Sequence, residues 1–203
     1  MPSHIEFLVE EQSAESALAN LLPKILPAGV GFDIHPHNGK SDLLKKLPSR
    51  LTGYKSWIPN DWKIVVLIDE DRGNCADIKN RLETAAEQAG FSTKSSQAGN
   101  FQVLTRIAIE ELEAWFFGDI PALVAAYPGV SQTLAAQAGY RNPDTIRGGT
   151  WEKLLKVLQR AGYFSTGLPK VEVAAEISKH MIPENNRSKS FQVFLAGIKA
   201  MFP

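Results

Sequence analysis

The stretch KIVVLID, residues 63–69, limits what this chain can fold into more than any other. A strand with one wet face alternates apolar and polar residues. A continuous apolar run predicts a strand buried on both faces, as in a parallel sheet covered by helices on each side. The same run ends on a carboxylate, Asp69, and Asp71 follows two residues later.

The neighbouring segments fit that sheet. Residues 4–9 (HIEFLV) predict a first strand, and SAESALANLLPKIL a helix with Ser13 as N-cap. GVGFDIHPH predicts a second strand and SDLLKKLPSRL a helix begun at Ser41 or Asp42. Residues 53–63 are rich in turn formers and read as a loop. CADIKNRLETAAEQAGF predicts a helix ending near Gly90, FQVLTRIAI a fourth strand, and EELEAWFFGD a short helix stopping near Gly118. Strands alternating with helices indicate an α/β fold with a mostly parallel sheet flanked by helices.

From Ile120 onward no strand is predicted. IPALVAAYP, VSQTLAAQA, TWEKLLKVLQRAG, KVEVAAEISKHM and KSFQVFLAGIKAMF read as helices broken by Pro and Gly. The expected organisation is an α/β core over residues 1–119 and a helical C-terminal segment over 120–203, packed together as one compact unit.

Composition excludes more than it selects. Lys+Arg and Asp+Glu each number 22, so net charge points to neither a nucleic-acid nor a membrane partner. An acidic crevice beside a basic face remains compatible with that balance. The single cysteine, Cys75, forbids an internal disulfide. No apolar run approaches the roughly 20 residues of a membrane span. These features predict a soluble, cytoplasmic protein.

In open α/β sheets, ligands bind beyond the carboxyl ends of the strands. Glu10 follows the first predicted strand, Asp69 ends the third, and Asp71 stands close enough to share their crevice. Three carboxylates there would repel one another unless a cation lay between them. Hard oxygen donors without a Cys/His cluster favour Mg²⁺ or Mn²⁺, with open positions for phosphate oxygens. The plain alternative is that these acids are solvated or cap the next helix. Glu110, Glu111 and Glu113 follow the fourth strand, and Glu110 and Glu113 would share a helical face if the helix began there. Either could complete the acidic site, or the acids could simply answer a helix dipole.

Cations are candidate phosphate contacts. Lys40 follows a strand end, Lys170 opens a helix, and Arg187 precedes the last helix, where Ser188 or Ser190 would be the cap. Arg147 precedes two glycines and another helix start. GKS at residues 39–41 is no nucleotide-binding loop, because Ile34 stands where that motif needs glycine. His35 and His37 alternate, a weak metal signal in the absence of a nearby partner. Trp115, Phe116 and Phe117 read as core rather than base-stacking residues. Cys75 is expected to be incidental, although a helix start could lower its pKa.

The ordered Glu and Asp-x-Asp resemble the Toprim domain of topoisomerases, primases and overcoming-lysogenization-defect nucleases. The matching residues are Glu10, Asp69 and Asp71. Toprim sequences usually follow the Glu with Gly, and Glu11 stands there instead, so either glutamate is left open to face the metal. LVEEQSAESAL, GKSDLLKKLPSRL, VVLIDEDRGNC, RIAIEELEAWFFGD, AYPGV, GGTWE and NRSKSFQVF are similar to successive blocks of the bacterial domain-of-unknown-function family 4276, regarded as Toprim-like. That resemblance favours Glu113, whose spacing to Trp115 it preserves. It implies a metal-dependent nuclease, or else a non-catalytic subunit of an ATPase partner; a phosphatase acting on a small nucleotide is a third expectation.

Overall fold

The computed structural model describes every residue except Arg72, Arg147 and Pro203. Four strands, β1 (His4–Val9), β2 (Gly31–Pro36), β3 (Trp62–Asp69) and β4 (Val103–Ala108), form one sheet in the order β2-β1-β3-β4. All pairings are parallel. β3 is buried from Lys63 to Ile68, as its unbroken apolar run requires.

Helices cover both faces. On one lie α2 (Lys40–Trp57) and α3 (Cys75–Gln88), whose Leu43, Leu47, Leu51, Ile78 and Leu82 pack with Ile64, Val66 and Ile68. On the other lie α1 (Gln12–Ile25), α4 (Glu113–Phe117), α5 (Ile120–Ala126), α6 (Thr150–Arg160), α7 (Lys170–His180) and α8 (Lys189–Lys199). Here one apolar cluster runs from Ile5, Phe7 and Val65 through Trp115 and Phe191 to Met201. Sheet and C-terminal helices therefore share a core. Trp115, Phe116 and Phe117 belong to it, as their clustering predicts.

Several local expectations are corrected. α1 begins after Glu11, so Ser13 lies inside it. α2 begins at Lys40 and continues through Pro48 and Gly53 to Trp57, across part of the predicted loop. The buried series Leu43, Leu47, Leu51 and Tyr54 keeps one face of α2 against the sheet, and this packing overrides two weak helix formers. VSQTLAAQA shrinks to the short turn Leu134–Ala136, because Leu134 alone of that turn is buried. α4 starts only at Glu113: Glu110 has φ 59°, which no α-helix accommodates, so Glu110 and Glu113 share no helical face.

Two contacts fix the helix that matters most for the site. Asn20 of α1 donates to the Ala175 carbonyl at 3.0 Å. Lys24 donates to the carbonyls of Ser178, Lys179 and Met181 at the C-terminal end of α7. A cation on those orphan carbonyls suits the helix dipole. α7 is thereby clamped along α1, and its first residue, Lys170, is held beside the strand ends.

Candidate metal centre at the strand ends

Glu10 is the first residue past β1 and is buried. Its Oε2 accepts the Asp69 backbone N–H at 3.0 Å, tying the tips of β1 and β3 together. Burial raises the Glu10 pKa, the Asp69 N–H opposes this, and the Asp71 charge adds to it. Asp69, half-buried at the end of β3, is raised well above the usual carboxylate range by desolvation and then by the charges of Glu113, Glu10 and Asp71. Glu113 is 3% exposed. Its burial pushes the pKa up to about 7 against the pull of Lys170.

Asp69 thus feels the charges of Glu10, Asp71 and Glu113, and Glu10 that of Asp71, at the strand ends. Two lysines flank them. Lys40, the first residue of α2, pairs with Asp71 at 2.6 Å and donates to the Glu70 carbonyl at 2.8 Å. Lys170 lies 3.9 Å from Glu11 and 5.5 Å from the centre of the Trp151 ring. Burial lowers the Lys170 pKa, but the charges of Glu113, Glu11 and Glu111 outweigh it and hold the ammonium above its ordinary value. The adjoining hollow, of about 360 Å³, is lined by Glu11, Ser13, His37, Gly39 and Lys170.

The other candidates separate. Glu111 is structural: its Oε2 accepts the Thr150 and Trp151 N–H groups and the Thr150 hydroxyl, capping α6. Glu110 meets the crevice through its backbone, accepting the Asp71 N–H at 2.6 Å. Glu11, half-exposed, faces Lys170. Arg187 is exposed, and its guanidinium donates to the Arg141 carbonyl rather than to the strand-end acids. Ser188 caps α8, as its position predicts, but the same helix start already holds an anion. The Asp144 carboxylate accepts from the Lys189 N–H and from the Ser188 and Ser190 hydroxyls, occupying the place proposed for phosphate. Arg147 lies outside the described residues. His37 is tied to the Val9 carbonyl at 2.9 Å. Cys75 opens α3, yet burial and the Glu70 charge push its thiol up, the opposite of an activated cysteine.

The donors are all oxygen, which fits a hard divalent ion. The carboxylates are nevertheless spread apart. Among the described residues, the one triad of potential ligands whose atoms all lie within 4.8 Å of one another is His4, Glu6 and Asp33, in the amino-terminal halves of β1 and β2. At the strand ends, Glu10 is held by the Asp69 N–H and Asp71 by Lys40. A cation that took the Asp71 Oδ2 would displace Lys40.

Residues 9–199 match the family described as Domain of unknown function (DUF4276). The chain belongs to that family. No curated protein and no solved structure matches it. The DUF4276 match covers β2, β3 and β4 and the C-terminal helices, so the family unit includes β3 with Asp69 and α7 with Lys170 alike. Among the described residues no helix is long and apolar enough to cross a membrane.

Proposed function

We propose that this DUF4276 protein is a Toprim-like, Mg²⁺- or Mn²⁺-dependent enzyme that hydrolyses phosphodiesters of a nucleic acid. The observation that supports this most is the convergence of Glu10, Asp69 and Glu113, each raised first by burial and then by neighbouring carboxylates, on the carboxyl ends of a parallel sheet. Buried like charges of this kind are stabilised by a shared cation. Asp69 and Asp71 would hold the metal, with Glu113 beside them. Glu10 is positioned either to ligate it or to move a proton. When bound, the ion would neutralise phosphate charge and lower the pKa of a water. Lys40 and Lys170 flank the acids on two sides, where they would orient a phosphate by charge rather than by sequence.

The spread of the carboxylates, with Asp71 already neutralised by Lys40, favours a second reading: a Toprim-like scaffold without chemistry, serving an ATPase partner. Calorimetry with Mn²⁺ separates the two. The enzyme reading expects binding by the wild type, loss in Asp69→Asn/Asp71→Asn, and metal-dependent cleavage of DNA or RNA that Asp69→Asn abolishes. Wild-type cleavage by a carefully purified Asp69→Asn protein would sink it. Absence of Mn²⁺ binding, with copurification of an ATPase, would favour the scaffold.

A further inference from the structure

β1 and β2 bring four side chains of metal-ligating type to one face of the sheet. The parallel register sets His4 opposite Gly31, Glu6 opposite Asp33 and Leu8 opposite His35. Since side chains alternate along a strand, His4, Glu6, Asp33 and His35 all project to the same side. His4, Glu6 and Asp33 lie in the amino-terminal halves of these strands, away from the crevice, and the acids described above take no part here.

The His4 Nε2 stands 3.3 Å from Glu6 Oε1 and 3.3 Å from Asp33 Oδ2. It is buried, yet it makes no hydrogen bond to either. Ligand atoms around a tetrahedral ion with bonds of about 2.0–2.1 Å lie about 3.3 Å apart along each edge. The spacing suits three ligands around one ion better than a hydrogen-bonded ion pair. The ring is held for this role. It stacks on Trp62 with centroids 4.0 Å apart. Gly31 leaves it room, since a Cβ there would come within 2.9 Å of His4 Nδ1.

The carboxylate between them is oriented from behind. Glu6 Oε2 accepts the Tyr54 hydroxyl at 2.9 Å and meets His35 Nε2 at 2.5 Å. Its other oxygen, Oε1, is left facing His4, and a ligand atom of Asp33 lies within 4.8 Å of both residues. Such outer partners fix first ligands in metal sites. Asp33, with a side chain 66% exposed, gives the site an entrance from solvent and room for a water as fourth ligand. One imidazole nitrogen and two carboxylates make a borderline donor set, suited to Zn²⁺ rather than to Mg²⁺.

We propose that His4, Glu6 and Asp33 form a zinc site that ties the edge strand β2 to β1, with His35 and Tyr54 positioning Glu6. The site is separate from the strand-end crevice and independent of the activity assigned there. The test is a titration of Zn²⁺ alone into the full chain against a competing chromogenic chelator, with thermal melting alongside. The expected result is one zinc per chain and a raised Tm in the wild type. Asp33→Asn, at an exposed position, and His4→Gln are expected to lose at least tenfold in affinity and to lose the rise in Tm. His35→Asn is expected to lose about ten- to hundredfold through misorientation of Glu6. Asp69→Asn/Asp71→Asn is expected to bind zinc as the wild type does. A wild type that binds no zinc, or an Asp33→Asn protein that folds and binds it undiminished, overturns the proposal.

Discussion

Asp71 and Glu110 interlock the tips of β3 and β4: the Asp71 N–H donates to the Glu110 carbonyl at 2.6 Å, and both residues hold positive φ, 51° and 59°. The turn is closed further by Glu70, whose N–H donates to the Ala108 carbonyl at 2.8 Å and whose Oε2 accepts the Glu110 N–H at 3.3 Å. Left-handed backbone at two non-glycine residues is uncommon and costs free energy, so the surrounding bonds must hold it. Its consequence is to aim Asp71 at Lys40 and at the crevice.

Because Asn tolerates left-handed backbone and a β-branched residue does not, two substitutions at position 71 should part ways. Asp71→Asn is expected to keep the melting temperature near wild type while removing the charge. Asp71→Val is expected to lose about 1–2 kcal/mol of stability in denaturant unfolding. Equal losses in both would show that the carboxylate, not the backbone, maintains this turn.

Lys40 competes with any cation for the Asp71 carboxylate. The two side chains are 22% and 48% exposed, so the pair is screened and is worth about 0.2–1 kcal/mol. Lys40→Met is therefore expected to tighten Mn²⁺ binding about two- to fivefold by calorimetry, and to weaken binding of inorganic phosphate to the metal-loaded protein. Weaker Mn²⁺ binding in Lys40→Met would mean that Asp71 is no ligand.

Glu111 and Glu113 stand two residues apart and should behave as opposites. Glu111 caps α6 through three hydrogen bonds from Thr150 and Trp151. Glu111→Ala is expected to lose about 1–3 kcal/mol of stability by leaving those donors unmet, with Mn²⁺ affinity unchanged where the protein is folded. Glu113→Gln is expected to do the reverse, sparing the fold and weakening Mn²⁺. A Glu111→Ala protein as stable as wild type would remove the cap from the account of α6.

The sheet was legible in the sequence because β3 is apolar without a break from Ile64 to Ile68, a pattern that burial on both faces explains, and because strand-like and helix-like segments alternate around it. The positions of Glu10, Asp69 and Asp71 followed from it, since parallel strands end at one edge. What escaped had its cause far along the chain. Glu111 looks like Glu113 until Thr150, 39 residues on, takes its carboxylate. Lys170 reads only as a helix start, and α1 and Lys24 decide that this start faces the acids. Asp144 pre-empts the anion place at α8 from 45 residues away. The alternation of His4 with Glu6, and of Asp33 with His35, was present in the strands, but its meaning depends on β2 pairing with β1 in this register.

Glu113 gives the metal reading a signature in stability alone. Its folded pKa of about 7 lies above the ordinary 4.5. Between those values the folded protein holds a proton that the unfolded chain has released, so this group's stabilising contribution is complete below about pH 4.5 and is lost as pH rises through about 7. The size, at 1.36 kcal/mol per pH unit, is on the order of 3 kcal/mol. Desolvated Asp69, raised in the same way, acts in the same direction. The metal-free wild type is therefore expected to lose stability from pH 5 to pH 8, and Glu113→Gln to lose less, so that the variant melts higher than wild type at pH 8. Mn²⁺ at pH 8 should return the lost stability to the wild type, since an ion that binds only the folded state stabilises it, and should return less to Glu113→Gln. Parallel pH profiles for the two proteins without metal would show that Glu113 carries its charge without strain, and the crevice would then have no need of a cation.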